Sequence, residues 1–391
     1  MEDIAAKDFN FGQSKTPYGE LFYDAVQKAQ TDEASDIHIE PTRTGISIRF
    51  RILGDMQPPW KKLSTDHKLG FVNEVKQLTN LSIAISGRPQ DGRISIDPLK
   101  LDLRVNLLPT LYGEKIVLRL LDLKRNFDLD RAGFEVETLH DLKDATRFKN
   151  GVILISGPTG SGKTTTLYSL LCSIDRKKLN VITLEDPVEY SLPGINQVRI
   201  DSKINFSQAL RAVLRQDPDV ILVGEIRDEE TAALCFKAAS TGHLVLSTIH
   251  ANGAAEVIGR LLNLGVEKFM IASNLRFSCA QRLVKRICQT CAVKCPQDVA
   301  NDILKKAGVD LISRDGKSNF ELADDGNGCS ACRGGYTGRI PILEYMKGGA
   351  IKDFIEVAAR DPPRLARTLK EAAYYHAFQG EIDIREVLNV S

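Results

Sequence analysis

A glycine-rich segment is the part of the sequence whose residue types and spacing best suit chemistry. Residues 151–166 read GVILISGPTGSGKTTT, an apolar run followed by the pattern G-x-x-x-x-G-K-T and a helix-forming run. Glycines let backbone N–H groups curl around phosphate oxygens where a Cβ would block the approach or forbid the dihedral angles. The pattern predicts a phosphate-binding loop. A glycine-rich turn with no ligand is the alternative.

Lysine and hydroxyl groups of this loop have separate expected roles. We expect Lys163 to reach the β- and γ-phosphates of ATP, and the Thr164 hydroxyl to ligate Mg²⁺ at the start of a helix whose dipole favours phosphate. The predicted nucleotide-binding residues are Gly157, Pro158, Thr159, Gly160, Ser161, Gly162, Lys163, Thr164 and Thr165. ATP and Mg²⁺ are therefore the predicted substrate and cofactor of this loop.

Four apolar runs predict the strands that would position the loop. They are residues 152–155, 181–184, 220–223 and 244–247. Helical patterns lie between them, which is typical of right-handed crossovers in a mainly parallel sheet and so of the α/β class. Ligands of such sheets bind beyond the carboxyl ends of the strands, so polar residues at these ends should converge on the nucleotide.

Acidic residues follow two of these strands, and a histidine follows a third. Glu185 and Asp186 come after the second strand; one could polarise the attacking water while the other ligates Mg²⁺ through water. Glu225 ends the third strand, where a Walker-B strand usually has an aspartate, so we predict that it is the partner of Mg²⁺. His250 follows the fourth strand and could sense the γ-phosphate or a neighbouring subunit.

Each of these residues also has a purely structural interpretation. Carboxylates after a strand often cap the next helix, and Pro187 favours a turn at Asp186. A single histidine is more often a hydrogen-bonded structural residue than a catalytic one. Their joint occurrence behind a phosphate loop favours function, most strongly for Glu185 and Glu225.

Two C-x-x-C pairs predict a metal site. Cys288 and Cys291 form one pair, and Cys329 and Cys332 form the other. Four thiolates at the corners of a tetrahedron suit Zn²⁺, and a closed shell of this kind is structural because it leaves no position open for chemistry. Reduced cysteines without metal are the alternative, since the span between the pairs exceeds the commonest ribbon spacing. Cys295 could also replace one of the four ligands.

The pattern of the whole chain predicts several units. Residues 1–122 combine a helical pattern with period-two alternation, as expected for a small α+β domain. We predict a linker over 123–130, an ATPase domain over 131–285, a cysteine-containing subdomain over 286–345 and a helical subdomain over 346–391. A chain of 391 residues is long enough for two or three such domains.

Composition and charge exclude some classes of protein. Lys and Arg number 52 and Asp and Glu 51, which gives a net charge of +1 and no general basic field for nucleic acid or anionic lipid. The N-terminus does not resemble a signal peptide, and no apolar run approaches the length that spans a bilayer. We therefore expect a cytoplasmic location without direct membrane insertion.

Several segments together resemble the GspE/PilB-type secretion ATPases of type II secretion and type IV pilus assembly. Besides the phosphate loop, the matching segments are 34–41 (ASDIHIEP), 184–190 (LEDPVEY), 216–219 (QDPD), 224–228 (GEIRD) and 242–250 (GHLVLSTIH). Their order and spacing, together with the four cysteines, make the resemblance specific. It covers residues from about 30 to 345.

The resemblance implies a cytoplasmic homo-hexamer in which an N-terminal PAS-like domain closes over the nucleotide of a RecA-like domain. It implies that Arg104 and Arg119 act at the γ-phosphate, although solvated strand arginines are the structural alternative. By the same resemblance, Glu185 is the general base, Glu225 the Walker-B carboxylate and His250 part of the His box. Retraction-type relatives lack the tetracysteine element, so its presence favours assembly or secretion.

The implied function is ATP hydrolysis that powers pilus assembly or type II secretion, with an inner-membrane platform protein as the partner. Family members usually carry a further N-terminal domain that docks on this platform, and this sequence begins almost directly at the PAS-like unit. The sequence leaves two alternative functions. A nucleic-acid translocating motor is disfavoured by the near-zero net charge and the lack of an aromatic-studded basic groove. A nucleotide-gated scaffold that does not hydrolyse ATP is the other.

Overall fold

The computed structural model of the chain describes residues 16–308, 320–323, 328–356 and 365–390. These residues form two compact units, Met1–Asn126 and Phe127–Ser391. The beginning of the predicted N-terminal domain and parts of both predicted C-terminal subdomains lie outside the described residues.

The described residues of the first unit, 16–126, form two helices and seven strands. Its elements are α1 (Pro17–Thr31), β1 (Asp36–Thr42), β2 (Gly45–Ile52), β3 (Asp55–Met56), β4 (Lys61–Ser64), α2 (Thr65–Leu78), β5 (Gln90–Ile96), β6 (Leu101–Thr110) and β7 (Gly113–Asp122). The strands form an antiparallel sheet in the order β3-β2-β1-β7-β6-β5, and β4 pairs with β2.

Alternation of apolar and polar residues explains this sheet. In β1, Ile37 and Ile39 are buried while His38 and Glu40 are partly exposed, as expected for a strand with one face on the core. Helix α1 begins where the Thr16 side chain accepts a hydrogen bond from the Gly19 N–H and Pro17 occupies the first turn. The α+β unit expected from the sequence is therefore present.

A buried ion pair lies near the hairpin that joins β6 and β7. The side chain of Lys76 is 1% exposed, and its Nζ is 2.8 Å from a carboxylate oxygen of Glu114. The same Nζ donates a hydrogen bond to the Ile85 carbonyl at 2.9 Å. One charge thus connects α2, the loop before β5 and the start of β7.

The second unit alternates strands and helices. Its elements are α3 (Val136–Ala145), β8 (Gly151–Ser156), α4 (Lys163–Ser173), β9 (Val181–Glu185), β10 (Asn196–Arg199), α5 (Phe206–Val213), β11 (Val220–Val223), α6 (Glu229–Ser240), β12 (Leu244–Ile249), α7 (Ala254–Asn263), α8 (Lys268–Asn274), β13 (Leu275–Ile287), β14 (Val293–Lys294), α9 (Gln297–Ala307), β15 (Glu321–Leu322), β16 (Tyr336–Lys347), α10 (Gly348–Glu356), α11 (Leu369–Phe378) and α12 (Glu386–Asn389). The described residues also contain two short 3₁₀ turns, Asp97–Leu99 in the first unit and Leu129–Arg131 in the second.

The main sheet of this unit has the strand order β10-β9-β11-β12-β8-β13-β16. All neighbouring strands are parallel except β13 and β16, which pair antiparallel. Strands β8, β11 and β12 are buried along their whole length, because helices cover both faces of a parallel sheet. The predicted fold class, an α/β unit with a parallel sheet after a small α+β unit, is confirmed.

Apolar cores lie on both faces of this sheet. Helices α5 to α8 pack on one face against residues such as Val152 and Val245, while α3 and α4 pack on the other against Ile153 and Leu246. Phe127 belongs to the second of these cores. Residues of a single strand thus alternate between two cores.

The C-terminal elements pack on the far side of the long β13–β16 pair. Residues of α9, α11 and α12 share an apolar cluster with Val284 of β13 and with Ile340 and Ile342 of β16. Residues 286–391 therefore belong to the same compact unit as the parallel sheet. The subdomain boundaries at 286 and 346 stay predictions.

Candidate nucleotide-binding site

The phosphate loop connects β8 to α4; the conformation of the loop favours glycine at three positions, and space also requires it at two of them. Gly157, Gly160 and Gly162 have φ angles of +140°, +81° and +88°, which L side chains rarely adopt. A Cβ on Gly157 would lie 2.5 Å from the Gln281 carbonyl oxygen, and one on Gly162 would lie 2.8 Å from the Gln281 amide nitrogen. Glycine at these two positions lets the loop pack directly against β13.

Lys163 is the first residue of α4 and folds back over the loop. Its Nζ donates hydrogen bonds to the carbonyls of Gly157 at 2.8 Å and Pro158 at 2.9 Å. Burial lowers the pKa of this ammonium, the Glu225 carboxylate acts in the opposite direction, and the charge of Arg282 lowers the pKa further. The ammonium is therefore placed over the phosphate loop and is electrostatically coupled to Glu225.

The remaining loop residues fit a phosphate ligand. The hydroxyl of Ser161 is buried and makes no hydrogen bond to any described group, and an unpaired buried polar atom is costly without a partner. Thr164 is exposed in the first turn of α4, where the N–H groups of a helix have no internal partners. A phosphate group would supply acceptors for these donors.

Glu225 lies just beyond the end of β11 and contacts two basic side chains. It forms an ion pair with Arg227, and its second oxygen is 3.5 Å from Nε2 of His250. The Glu225 side chain is 16% exposed and that of His250 is 63% exposed. The structure thus brings together Glu225, Arg227 and His250, and the Glu225 carboxylate acts electrostatically on Lys163.

Glu185 ends β9 in a different environment. The residue is 4% exposed, and its carboxylate accepts hydrogen bonds from Tyr168, from the Thr183 hydroxyl at 2.6 Å and from the Gln197 amide at 3.1 Å. Burial and the adjacent carboxylate raise the pKa of Tyr168, so this phenol stays protonated as a donor. Both oxygens of Glu185 are occupied by side chains from α4, β9 and β10.

Hydrogen bonds tie the strand ends to one another. The Gly224 N–H donates to the Leu184 carbonyl at 2.8 Å, and the Thr248 hydroxyl donates to the Gly224 carbonyl at 2.7 Å. The Ser247 hydroxyl donates to the Val223 carbonyl at 2.6 Å. The acidic ends of β9 and β11 and the end of β12 that precedes His250 are therefore held at one edge of the sheet.

The four predicted cysteines meet at the end of the β13–β16 pair. Their sulfur atoms all lie within 4.8 Å of one another. The Sγ–Sγ distances are 3.7 Å for Cys288–Cys329, 3.6 Å for Cys291–Cys332 and 3.7 Å for Cys329–Cys332. Tetrahedral zinc with Zn–S bonds of about 2.3 Å requires separations of about 3.8 Å. The cluster therefore fits Zn²⁺, and Cys295 lies outside it with its thiol directed to the Pro296 carbonyl.

Arg104 and Arg119 both lie in the first unit. They are directly opposite each other in the β6–β7 pair, and Asp36 of β1 is opposite Arg119 on its other side. Nε of Arg119 is 3.0 Å from a carboxylate oxygen of Asp36, while the Arg119 side chain is 58% exposed. Because the two arginines are directly opposite each other, they share one face of the sheet.

Several residues around the site were missed by sequence reasoning. They are Tyr168, Thr183, Gln197, Arg227, Gln281 and Arg282. Arg227 could have been recognised because it lies two residues after Glu225. The partners of Glu185 carry no such signal, since they come from three elements that meet only in the folded sheet.

A phosphate loop on a parallel sheet, with acidic residues at neighbouring strand ends, defines a P-loop nucleotide-binding core. Comparison with known proteins agrees with this class and narrows it. The family model described as "Type II/IV secretion system protein" matches residues 13–389. The chain therefore belongs to this family, and the resemblance drawn from its motifs is confirmed.

Individual relatives give the same result. The chain is 44% identical over 338 residues to the type IV pilus assembly ATPase PilB of Myxococcus xanthus, a match that covers 83% of this chain and 57% of the relative. It is 37% identical to the type II secretion system protein HxcR of Pseudomonas aeruginosa, covering 100% of this chain and 81% of the relative. The solved structure of the Legionella pneumophila ATPase DotB shares the fold, with a TM-score of 0.66, 22% identity and coverage of 94% of both chains.

The chain thus spans little more than half the length of the PilB relative. Among the helices of the described ranges, none combines the length and the apolar character that crossing a bilayer requires.

Proposed function

We propose that this chain hydrolyses ATP with Mg²⁺ and uses the energy as a motor of type IV pilus assembly or type II secretion. The observation that carries the proposal is the group formed by Lys163 over the phosphate loop and Glu225 with His250 at the neighbouring strand ends. The names of the relatives support the choice of pilus assembly or secretion as the process, since these relatives are pilus assembly and secretion proteins.

The chain's own residues account for most of what phosphoryl transfer requires. The loop N–H groups and Lys163 would hold the β- and γ-phosphates. Phosphoryl transfer requires little covalent chemistry from the protein, so catalysis depends on how the reacting groups are positioned and on the charges that stabilise the transition state. Lys163 exchanges its two carbonyl partners for phosphate oxygens, which also favours its protonated form. His250 and Arg227 fix the orientation of Glu225 beside the phosphates.

Two carboxylates are candidates for activating the attacking water. Resemblance to the family assigns this role to Glu185, and its place at the end of β9 supports the assignment. Its oxygens accept three hydrogen bonds from the chain, one on Oε2 and two on Oε1. A carboxylate has about four acceptor sites, so Oε2 can accept a further hydrogen bond from an attacking water. Glu225 is more open but is assigned to the metal.

Metal ions have two proposed positions. Thr164 and Glu225 would hold Mg²⁺, which when bound neutralises charge on the β- and γ-phosphates. Cys288, Cys291, Cys329 and Cys332 would hold Zn²⁺ in a structural role because all four positions are filled by sulfur. Metal analysis of the purified chain should find one zinc per chain, and substitution of Cys288 by Ser should reduce it. A metal-free wild-type chain with a normal melting temperature would contradict the zinc assignment.

We further propose that six copies form a cytoplasmic ring that acts on an inner-membrane platform protein. Arg104 and Arg119 would then reach the γ-phosphate, with the paired strands β6 and β7 presenting both guanidinium groups on one face. Cations at a transferring phosphoryl group stabilise its transition state. The family relationship and the exposure of Arg119 support this part of the proposal.

Phosphate release by the purified chain tests the proposed activity. Lys163→Ala should reduce turnover by at least about 10³-fold, because the charge that develops on the phosphates loses its main cation. Lys177→Ala is the matched control, since Lys177 is exposed in the loop after α4 and should retain wild-type turnover. Wild-type turnover in Lys163→Ala would refute the assignment of the loop. Nucleotide binding without phosphate release by the wild type would instead support a scaffold.

A further inference from the structure

Strand β13 passes the nucleotide site just beyond the point where it stops pairing with β8. The last paired residues are Ala280 of β13 and Ser156 of β8. Gln281 and Arg282 therefore lie at the carboxyl edge of the parallel sheet, where ligands of such sheets bind. Consecutive residues of a strand point to opposite faces, so these two side chains can reach different loops.

Gln281 contacts the phosphate loop from one face. Its residue is 1% exposed, and its side-chain amide donates to the Ser161 carbonyl at 2.8 Å while accepting from the Thr166 hydroxyl at 2.8 Å. Its backbone carbonyl is the group that leaves no room for a Cβ on Gly157. One residue thus fixes the beginning and the end of the loop and the first turn of α4.

Arg282 contacts the loop after His250 from the other face. Its guanidinium donates to the Asn252 carbonyl at 3.1 Å, two residues beyond His250. The same segment is held by Ser278, whose hydroxyl donates to the Ala254 carbonyl at 2.7 Å, and by Glu344, which accepts from the Ala254 N–H at 2.9 Å. Strands β13 and β16 therefore support the His250 loop as well as the phosphate loop.

We propose that Gln281 and Arg282 are positioning residues for nucleotide hydrolysis, with Gln281 holding the phosphate loop and Arg282 holding the loop that carries His250. The inference rests on the proposed function and adds to it the elements that set the geometry of the site. Displacement of a reacting group by a fraction of an ångström is costly in catalysis, so such supports matter even without contact to the substrate.

Substitutions of Gln281 and Arg282 should change different kinetic parameters. Gln281→Met keeps the size of the side chain but breaks two hydrogen bonds to the phosphate loop, so we expect both the Kd for Mg-ADP and the KM for ATP to rise about tenfold with kcat within threefold of wild type. Arg282→Gln should lower kcat about tenfold and change the Kd for Mg-ADP less than threefold, because the His250 loop serves hydrolysis. This division between KM and kcat would not arise from general destabilisation.

Arg276→Gln is the matched control for Arg282→Gln. Arg276 lies on the same strand, but its guanidinium donates to the Asn150 carbonyl at the opposite edge of the sheet. We expect this control to retain wild-type KM and kcat even if its melting temperature falls. A control that shows the same kcat loss as Arg282→Gln would overturn the role of Arg282.

A double-mutant cycle of Gln281→Met with Thr166→Val tests whether the hydrogen bond between these two side chains matters for nucleotide binding. If the two side chains act through their shared hydrogen bond, the double variant should bind Mg-ADP no more than threefold more weakly than Gln281→Met alone. Fully additive losses would overturn the inference. If melting curves show that Gln281→Met does not fold, Thr166→Val carries the test, and wild-type nucleotide affinity in that variant would overturn the role of Gln281.

The inference and the proposed function fail separately. A wild-type chain that neither binds nor hydrolyses ATP refutes the function. A wild-type chain that does both, together with a folded Gln281→Met variant of unchanged Kd and KM, refutes only the role given to Gln281.

Discussion

Glu185 and Glu225 end neighbouring parallel strands, yet their surroundings differ. Glu185 is buried and accepts hydrogen bonds from three neutral side chains. Glu225 is more exposed, forms an ion pair with Arg227, has Nε2 of His250 at 3.5 Å and acts electrostatically on Lys163. Two carboxylates at equivalent places in the sheet are therefore prepared for different tasks. Glu225 has a charged partner in Arg227, whereas Glu185 is held by neutral hydrogen-bond donors from three elements of the fold.

Of the substitutions that test this comparison, Glu225→Gln should reduce kcat the most. Loss of its charge removes the proposed partner of Mg²⁺, so kcat should fall about 10³-fold. Phosphate release at saturating ATP measures the loss. Glu230→Gln is the control because Glu230 forms an exposed ion pair with Arg211, and it should keep wild-type turnover. Full activity in Glu225→Gln would remove this residue from the metal site.

Glu185→Gln should have the next largest effect. If Glu185 is the general base, kcat should fall about 10²-fold while the Kd for Mg-ADP stays within threefold of wild type. Turnover and nucleotide affinity measured on the same preparation separate these quantities. Unchanged turnover would place the base elsewhere and leave Glu185 as a structural residue.

Tyr168→Phe should have the smallest effect and tests whether the hydrogen bonds to Glu185 matter for catalysis. Removal of a donor to a buried carboxylate should lower the free energy of unfolding by about 2 kcal/mol and reduce kcat by about fivefold. Tyr345→Phe is the control, since Tyr345 donates a similar hydrogen bond to Asp141 away from the nucleotide site. Both variants should melt earlier, and only Tyr168→Phe should lose turnover. Equal turnover in the two variants would make Tyr168 purely structural.

The sequence predicted the parallel strands and the phosphate loop because their signals are local. Apolar runs mark β8, β9, β11 and β12, and the loop pattern occupies consecutive positions. The β13–β16 pair was not predicted. Strand β13 carries four basic residues among its apolar ones, and its partner β16 lies about fifty residues further along the chain.

The metal cluster and the environment of Glu185 show where sequence reasoning stops. The C-x-x-C spacing indicates a thiolate metal site, so the four cysteines were identified although many residues separate the two pairs. Tyr168 and Gln197 were not identified, because tyrosine in a helix and glutamine in a strand are ordinary residues until the fold places both beside one carboxylate. Buried polar contacts of this kind depend on tertiary packing rather than on periodicity.

The buried Lys76–Glu114 pair has a consequence for how the first unit tolerates mutation. Glu114 lies close to the surface, at 16% exposure, where substitutions usually cost little. Its loss would leave an uncompensated ammonium inside the unit, which costs about 3–5 kcal/mol and is a large part of the stability of a small domain. A position that looks replaceable on the surface is thus as intolerant of substitution as one in the core.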